Sequence, residues 1–75
     1  MIGYVLISLK KSNEQNLYAE LSNMKEVVEV NILFGEWDII AKIETESAES
    51  LGSFVMENIR SNPEVSLTST MIVAK

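Results

Sequence analysis

The chain has 75 residues, of which 47% are hydrophobic and 23% charged, the composition of one small globular domain. It contains no cysteine and no histidine, which excludes disulfides, thiolate zinc sites and every catalytic dyad or triad that needs an imidazole. Its formal charge of −5 opposes sequence-independent binding to nucleic-acid phosphates.

The first half of the chain predicts a strand, a helix and a second strand. Residues 2–9 are apolar on both faces, which predicts a strand that is covered on both sides. Ser12 and Gln15 have the spacing of a capping box, and apolar residues recur after them at helical spacing, which predicts a helix over 13–23. Alternating apolar and polar residues then predict a strand over 26–34.

The second half predicts the same succession of strand, helix and strand. A strand over 37–44 follows a tight hairpin at Gly35, where a glycine suits a positive φ. Ser47 is the expected N-cap of the second helix, which Pro63 ends. A closing strand is predicted over 65–74.

The order β-α-β-β-α-β predicts an α+β, ferredoxin-like fold with a four-stranded antiparallel sheet and two helices on one face. A domain this small is marginally stable alone, and the strands are too apolar for a solvated second face. We therefore predict that two sheets pack face to face in a dimeric α+β barrel. Five residues are expected on the bare face of the sheet: Val5, Ile7, Leu9, Ile40 and Ile72.

Targeting signals are not evident in the sequence. The apolar opening has neither a basic region nor a small-residue cleavage site, and no apolar run reaches the roughly 18 residues of a membrane span. We expect a cytoplasmic protein without a membrane partner, folded as a single domain over residues 1–75.

Acidic residues are the first candidates for chemistry. Glu36 and Asp38 are close in sequence, but nothing nearby suggests a nucleophile or an oxyanion hole, which favours two solvated turn acids over a general acid–base pair. Asp38 still suits the ammonium group of a ligand, because charge-assisted hydrogen bonds are strong. Glu44, Glu46 and Glu49 match no EF-hand spacing and are better explained as a solvated helix start, so no metal and no cofactor is predicted.

The closing strand is rich in hydroxyl groups over residues 66–70. Thr68 and Thr70 share one face of a strand, and Ser66 joins them by alternation. One interpretation is strand propensity with cross-strand hydrogen bonding. The other is a row of hydroxyls that binds a small polar ligand, and the sequence leaves both open.

Two short motifs and their spacing resemble a known family. The hairpin carries the run FGEWD at 34–38, after VVEV at 27–30, and the last strand carries TSTMIV at 68–73. Together they resemble the effector-binding domain of the Lrp/AsnC family of feast/famine regulators, called the RAM domain. The resemblance covers essentially the whole chain.

Membership of this family implies a dimer whose sheets pack together, rings of dimers that are commonly octamers, and amino acids bound where dimers meet. By motif match, the Asp38 carboxylate would lie near the amino group of the ligand. The resemblance implies six ligand-binding residues: Gly35, Trp37, Asp38, Thr68, Ser69 and Thr70.

Family regulators also carry an N-terminal helix-turn-helix domain, and the first residues of this chain already form a strand. The chain is therefore expected to be a stand-alone RAM domain that does not bind DNA directly. We predict a non-enzyme: an oligomeric amino-acid-binding module that modulates transcription indirectly, through a full-length Lrp/AsnC regulator.

Three alternatives remain. The domain could be a structural assembly module with no ligand. It could be a small dimeric α+β-barrel enzyme such as an oxygenase or isomerase, although the lack of histidine and cysteine opposes this. It could be an ACT-like regulatory domain, which shares the fold and the ligand class but usually belongs to a larger enzyme chain.

Overall fold

The computed structural model describes residues 1–75 and has the predicted ferredoxin-like order, with one sheet ordered β2-β3-β1-β4 and every strand pair antiparallel. No helix is both long and apolar enough to cross a membrane. The elements are β1 (Ile2–Leu9), α1 (Glu14–Ser22), β2 (Val27–Ile32), β3 (Ile39–Glu44), α2 (Ala48–Val55), a π-helical turn that continues α2 (Met56–Arg60), and β4 (Val65–Ile72).

The core lies between the helices and one face of the sheet. Val5 and Ile7 of β1 stand opposite Ala41 and Ile39 of β3, so the two central strands present a continuous apolar surface to the helices. Apart from Gly3, the buried residues all have apolar side chains: Val5, Ile7, Leu17, Leu21, Ile39, Ala41, Ile43, Leu51, Phe54, Val55 and Ile59.

The predicted assignment of faces was wrong for most of the five residues expected on the bare side. Val5 and Ile7 are fully buried under the helices, and Leu9 packs against the core beside them. Ile72 stands opposite Gly3, which faces the helices, so Ile72 also belongs to the helix side. Only Ile40 lies on the bare face. Since both faces of β1 are apolar, alternation identifies two faces but does not say which one the helices cover.

The bare face of the sheet carries an apolar strip along its β1 and β4 side. Leu6 stands opposite Ile40 on one neighbour and Ser69 on the other, and Tyr4 stands opposite Lys42 and Met71. The Lys42 ammonium lies 6.0 Å from the centre of the Tyr4 ring. Exposed apolar side chains add to the strip at the β4 edge: Leu67 and Met71. This strip is where a second sheet would pack.

The two helix starts differ. The predicted capping box at Ser12 and Gln15 was wrong: α1 begins after Asn13, and no side chain caps it. The prediction at Ser47 is confirmed, because its hydroxyl accepts a hydrogen bond from the Ser50 N–H at 3.1 Å. The Ser50 hydroxyl in turn accepts from the Ser47 N–H at 3.0 Å, which completes a capping box.

The connection between β2 and β3 is longer than the predicted tight hairpin. Both strands are shorter than expected, so the loop runs over residues 33–38. A hydrogen bond of 2.8 Å from the Leu33 N–H to the Asp38 carbonyl closes its base. Gly35 has a φ of 129°, as predicted for a turn glycine.

Candidate functional site

Asp38 holds the base of the β2–β3 loop against the end of β1. Its N–H donates to the Ile7 carbonyl at 2.9 Å, which extends the sheet by one residue beyond β3. Its carboxylate Oδ2 accepts from the Leu9 N–H at 2.7 Å, a short charge-assisted bond. The other carboxylate oxygen, Oδ1, makes no hydrogen bond within the chain. Asp38 thus has a structural role, and one of its two carboxylate oxygens has no hydrogen-bond partner in the chain.

The rest of the loop is open to solvent around its glycine. A Cβ at Gly35 would meet no atom within 4 Å, and Phe34 beside it is fully exposed. Trp37 is half-buried next to Asp38. The loop therefore presents one aromatic ring to solvent and keeps a second near the sheet.

The three β4 residues named by the motif are divided between the two faces of the sheet. Thr68 stands opposite Ile7 and Thr70 opposite Val5, so both lie on the helix side, as their predicted shared face requires. Ser69 stands opposite Leu6, so it lies on the bare side. A register shift between Ser8 and Leu9 leaves Ser66 without a partner on β1. Because of this bulge, the alternation of faces along β4 does not place Ser66 with Thr68 and Thr70.

Asp38 and Thr68 lie towards the same end of the sheet but on opposite sides of β1. Two strand spacings separate β3 from β4, about 10 Å. Thr68 lines a cleft of about 300 Å³ with Arg60 and residues 65–67. Gly35, Trp37 and Asp38 line none of the three main clefts. Within one chain, the six motif residues thus do not share any of the three main clefts.

The largest of the three main clefts lies elsewhere, between the end of β3 and α2, with a volume of about 690 Å³. It gathers five glutamates, including the three weighed above as cation ligands: Glu26, Glu44, Glu46, Glu49 and Glu57. No three acidic side chains of the chain are grouped closely enough to hold a metal ion. The cleft is an acidic surface on the helix side.

The element order and the strand order define the class of protein: a ferredoxin-like α+β domain. A family model described as the Lrp/AsnC ligand binding domain matches residues 2–75. The chain therefore belongs to the Lrp/AsnC ligand-binding domain family, as its motifs predicted.

Curated relatives and solved structures agree with this assignment. The HTH-type transcriptional regulator FL11 of Pyrococcus horikoshii is 35% identical over 75 residues, which cover 100% of this chain and 49% of FL11. The crystal structure of FFRP-DM1 superposes with a TM-score of 0.91 at 36% identity, covering 96% of each chain. E. coli AsnC superposes with a TM-score of 0.88 at 26% identity, covering 99% of this chain and 51% of AsnC. The chain spans about half the length of the curated relatives it matches.

Proposed function

We propose that this domain is a non-catalytic sensor that binds an amino acid and acts on transcription through assembly with copies of itself and with full-length Lrp/AsnC regulators. Its family and its regulator relatives support a regulatory binding module. The observation that carries the proposal is the Asp38 carboxylate, fixed by Leu9 through one oxygen with the other oxygen free.

The geometry of Asp38 suits an ammonium group. A carboxylate that is already anchored loses little freedom when it binds a ligand, and a half-buried position strengthens its electrostatic attraction. Gly35 leaves open space above the loop, so a ligand can approach the backbone there. The amino group of an amino acid is the simplest ligand that meets both conditions.

A second copy is expected to complete the site. Asp38 directly precedes β3, and β3 lies two strand spacings, about 10 Å, from the motif residues of β4, which is more than the α-amino and α-carboxyl groups of one amino acid span. The apolar strip of the bare face supports sheet-to-sheet pairing of two copies. In this proposal Asp38 meets groups from another copy, and ligand binding is coupled to assembly.

The test is a thermal-shift screen against the twenty amino acids at fixed protein concentration. L-Met is the first compound, because a regulator of the same fold, NMB0573 of Neisseria meningitidis, was solved in complex with it. A ligand at 100 times its Kd adds about 2.7 kcal/mol, and each kcal/mol moves the midpoint by roughly 4–8 °C in a domain of this size.

The informative variant is Asp38→Asn, because an amide oxygen still accepts from the Leu9 N–H while the negative charge is removed. We expect it to abolish the ligand-induced shift and to leave the fold intact. Glu36→Gln, which neutralises an exposed acid of the same loop, is the matched control and should keep the shift. An equal shift in Asp38→Asn would refute the assignment of Asp38. No shift with any amino acid would refute the sensor function.

A structural assembly module without a ligand is the second candidate. It is favoured by the absence of one main cleft that contains all six motif residues. In that case the oligomeric state measured by sedimentation should stay the same with and without every amino acid, whereas a sensor should change its assembly with its own ligand.

A further inference from the structure

A cleft between the end of α2 and the edge strand β4 has a donor-rich lining in an otherwise acidic molecule. Its volume is about 300 Å³, and it is lined by Arg60, Val65, Ser66, Leu67 and Thr68. We propose that this cleft binds the carboxylate group of a small organic acid, held by the Arg60 guanidinium and the Ser66 and Thr68 hydroxyls. This proposal builds on the proposed sensor function: it adds a carboxylate-binding site to the ammonium-binding site at Asp38. The cleft does not require its ligand to be an amino acid.

The charge of the cleft is the first observation in its favour. The chain has a net charge of −5, and yet no acidic residue lines this cleft. Arg60 is the only arginine of the sequence. A guanidinium presents two parallel N–H donors that match the two oxygens of a carboxylate, which a lysine ammonium does not.

Arg60 is not needed to complete the helix end on which it stands. The carbonyls of the last turns are already paired: that of Glu57 accepts from the Ser61 hydroxyl, and that of Ile59 accepts from the Asn62 N–H at 3.1 Å. The Phe54 carbonyl accepts from the Asn58 side chain at 3.2 Å. The Arg60 side chain is therefore free for a ligand.

Two backbone irregularities border the same cleft. The π-helical turn Met56–Arg60 ends at Arg60, and the buried Ile59 anchors that turn in the core. On the other side, the bulge at Ser66 shifts the register of β4 against β1. Both features redirect side chains, and both are frequent at binding sites.

The hydroxyl groups of the cleft are available as donors. The hydroxyls of Ser22, Thr45 and Ser61 each bond to a backbone carbonyl, whereas those of Ser66 and Thr68 bond to no other group of the chain. Thr68 is half-buried, so a bond from its hydroxyl to an anion is less exposed to water than one on the open surface.

The test is NMR titration of the uniformly ¹⁵N-labelled protein with sodium acetate, with sodium chloride keeping the ionic strength constant. Because Arg60 is the only arginine, its Nε–H gives a single unambiguous side-chain signal. We expect saturable shifts of this signal and of the Ser66, Leu67 and Thr68 amides, with no comparable shift at Gly35. Shifts that grow linearly without saturation, or that chloride reproduces, would overturn the proposal.

Variants identify the groups that bind. Arg60→Lys keeps the charge and should weaken acetate binding about tenfold through loss of the paired donors. Thr68→Val, which keeps the shape of the side chain and removes its hydroxyl, should weaken it by a smaller factor, and Lys11→Gln is the control that removes a cation elsewhere. Unchanged acetate affinity in Arg60→Lys and in Arg60→Gln would refute the role of Arg60.

Two further titrations distinguish a carboxylate site from a general anion site and from the proposed site at Asp38. Inorganic phosphate tests the anion class, and a response to phosphate without one to acetate would overturn the carboxylate assignment. Acetate carries no amino group, so its binding does not depend on Asp38 and should persist in Asp38→Asn. Acetate binding without any amino-acid shift would refute the sensor function alone, and an amino-acid shift without acetate binding would refute this cleft alone.

Discussion

Alanine substitutions at two glycines, Gly3 in β1 and Gly52 in α2, are predicted to change the free energy of unfolding in opposite directions. A Cβ at Gly3 would lie 2.6 Å from Cδ1 and 3.0 Å from Cδ2 of Leu51. Leu51 is fully buried, so its methyl groups have no free space to move into. Gly52 in α2, by contrast, has nothing within 4 Å of its Cβ position.

Gly3→Ala should destabilise the domain. Overpacking a core typically lowers the free energy of unfolding by about 1–3 kcal/mol. Alanine also reduces the conformational freedom of the unfolded chain, which raises the free energy of unfolding by about 0.4–1 kcal/mol. We expect a net loss of about 1–2 kcal/mol. Gly52→Ala meets no contact and should add roughly 0.5–1 kcal/mol, the difference in helix propensity.

The assay is urea denaturation at fixed protein concentration, comparing the midpoints of the two variants with that of the wild type. The Leu51→Ala background provides the control, because removing the distal Leu51 atoms removes the contact. There, Gly3→Ala should keep only the gain of about 0.4–1 kcal/mol from the less flexible unfolded chain, so the coupling should equal the overpacking cost of about 1–3 kcal/mol. A neutral Gly3→Ala, or the same loss in both backgrounds, would refute the packing argument.

Three other changes test particular contacts. Asp38→Ala leaves the half-buried Leu9 N–H without an acceptor and should lower the free energy of unfolding by about 1–3 kcal/mol, whereas Asp38→Asn should lose less than half as much by the same denaturation assay. Ser47→Ala removes a working cap and should lower it by about 1 kcal/mol, but Ser12→Ala should be neutral, since Ser12 caps nothing; equal effects would contradict the assigned helix start. Phe34→Ser replaces a fully exposed ring and should leave the midpoint of dilute protein unchanged; a loss that grows with protein concentration would show that the ring is covered in an assembly.

Periodicity predicted the elements well because it reports local burial. The apolar stripe that runs from Leu51 in α2 to Ile59 in the π-helical turn is buried as its spacing indicated, and Ser47 begins α2 as expected. The same method failed for β1, where both faces are apolar and the choice depends on strands far away in the sequence. The separate prediction of a capping box at Ser12 was also wrong, because α1 begins after Asn13 and no side chain caps it.

The candidate site was only partly visible in the sequence. The motif identified Asp38, but its bond to Leu9 joins residues 29 positions apart, and no local pattern reports such a contact. The cleft at Arg60 was not predicted at all. Its residues are ordinary one by one, and they come from two segments of the chain, one ending in a π-helical turn and the other containing a bulge. An isolated arginine in an acidic chain was the one available signal.

The sheet order has a consequence for how the chain folds during synthesis. β1 is made first but lies between β3 and β4, the strands at positions 39–44 and 65–72. During synthesis one edge of this apolar strand is therefore unpaired until β3 is made, and the other edge until β4 is made. Folding is then limited by contacts between distant parts of the chain, which are slow to form. Until β4 pairs with it, β1 is an apolar strand with an open edge, which exposes it to aggregation or to capture by a chaperone.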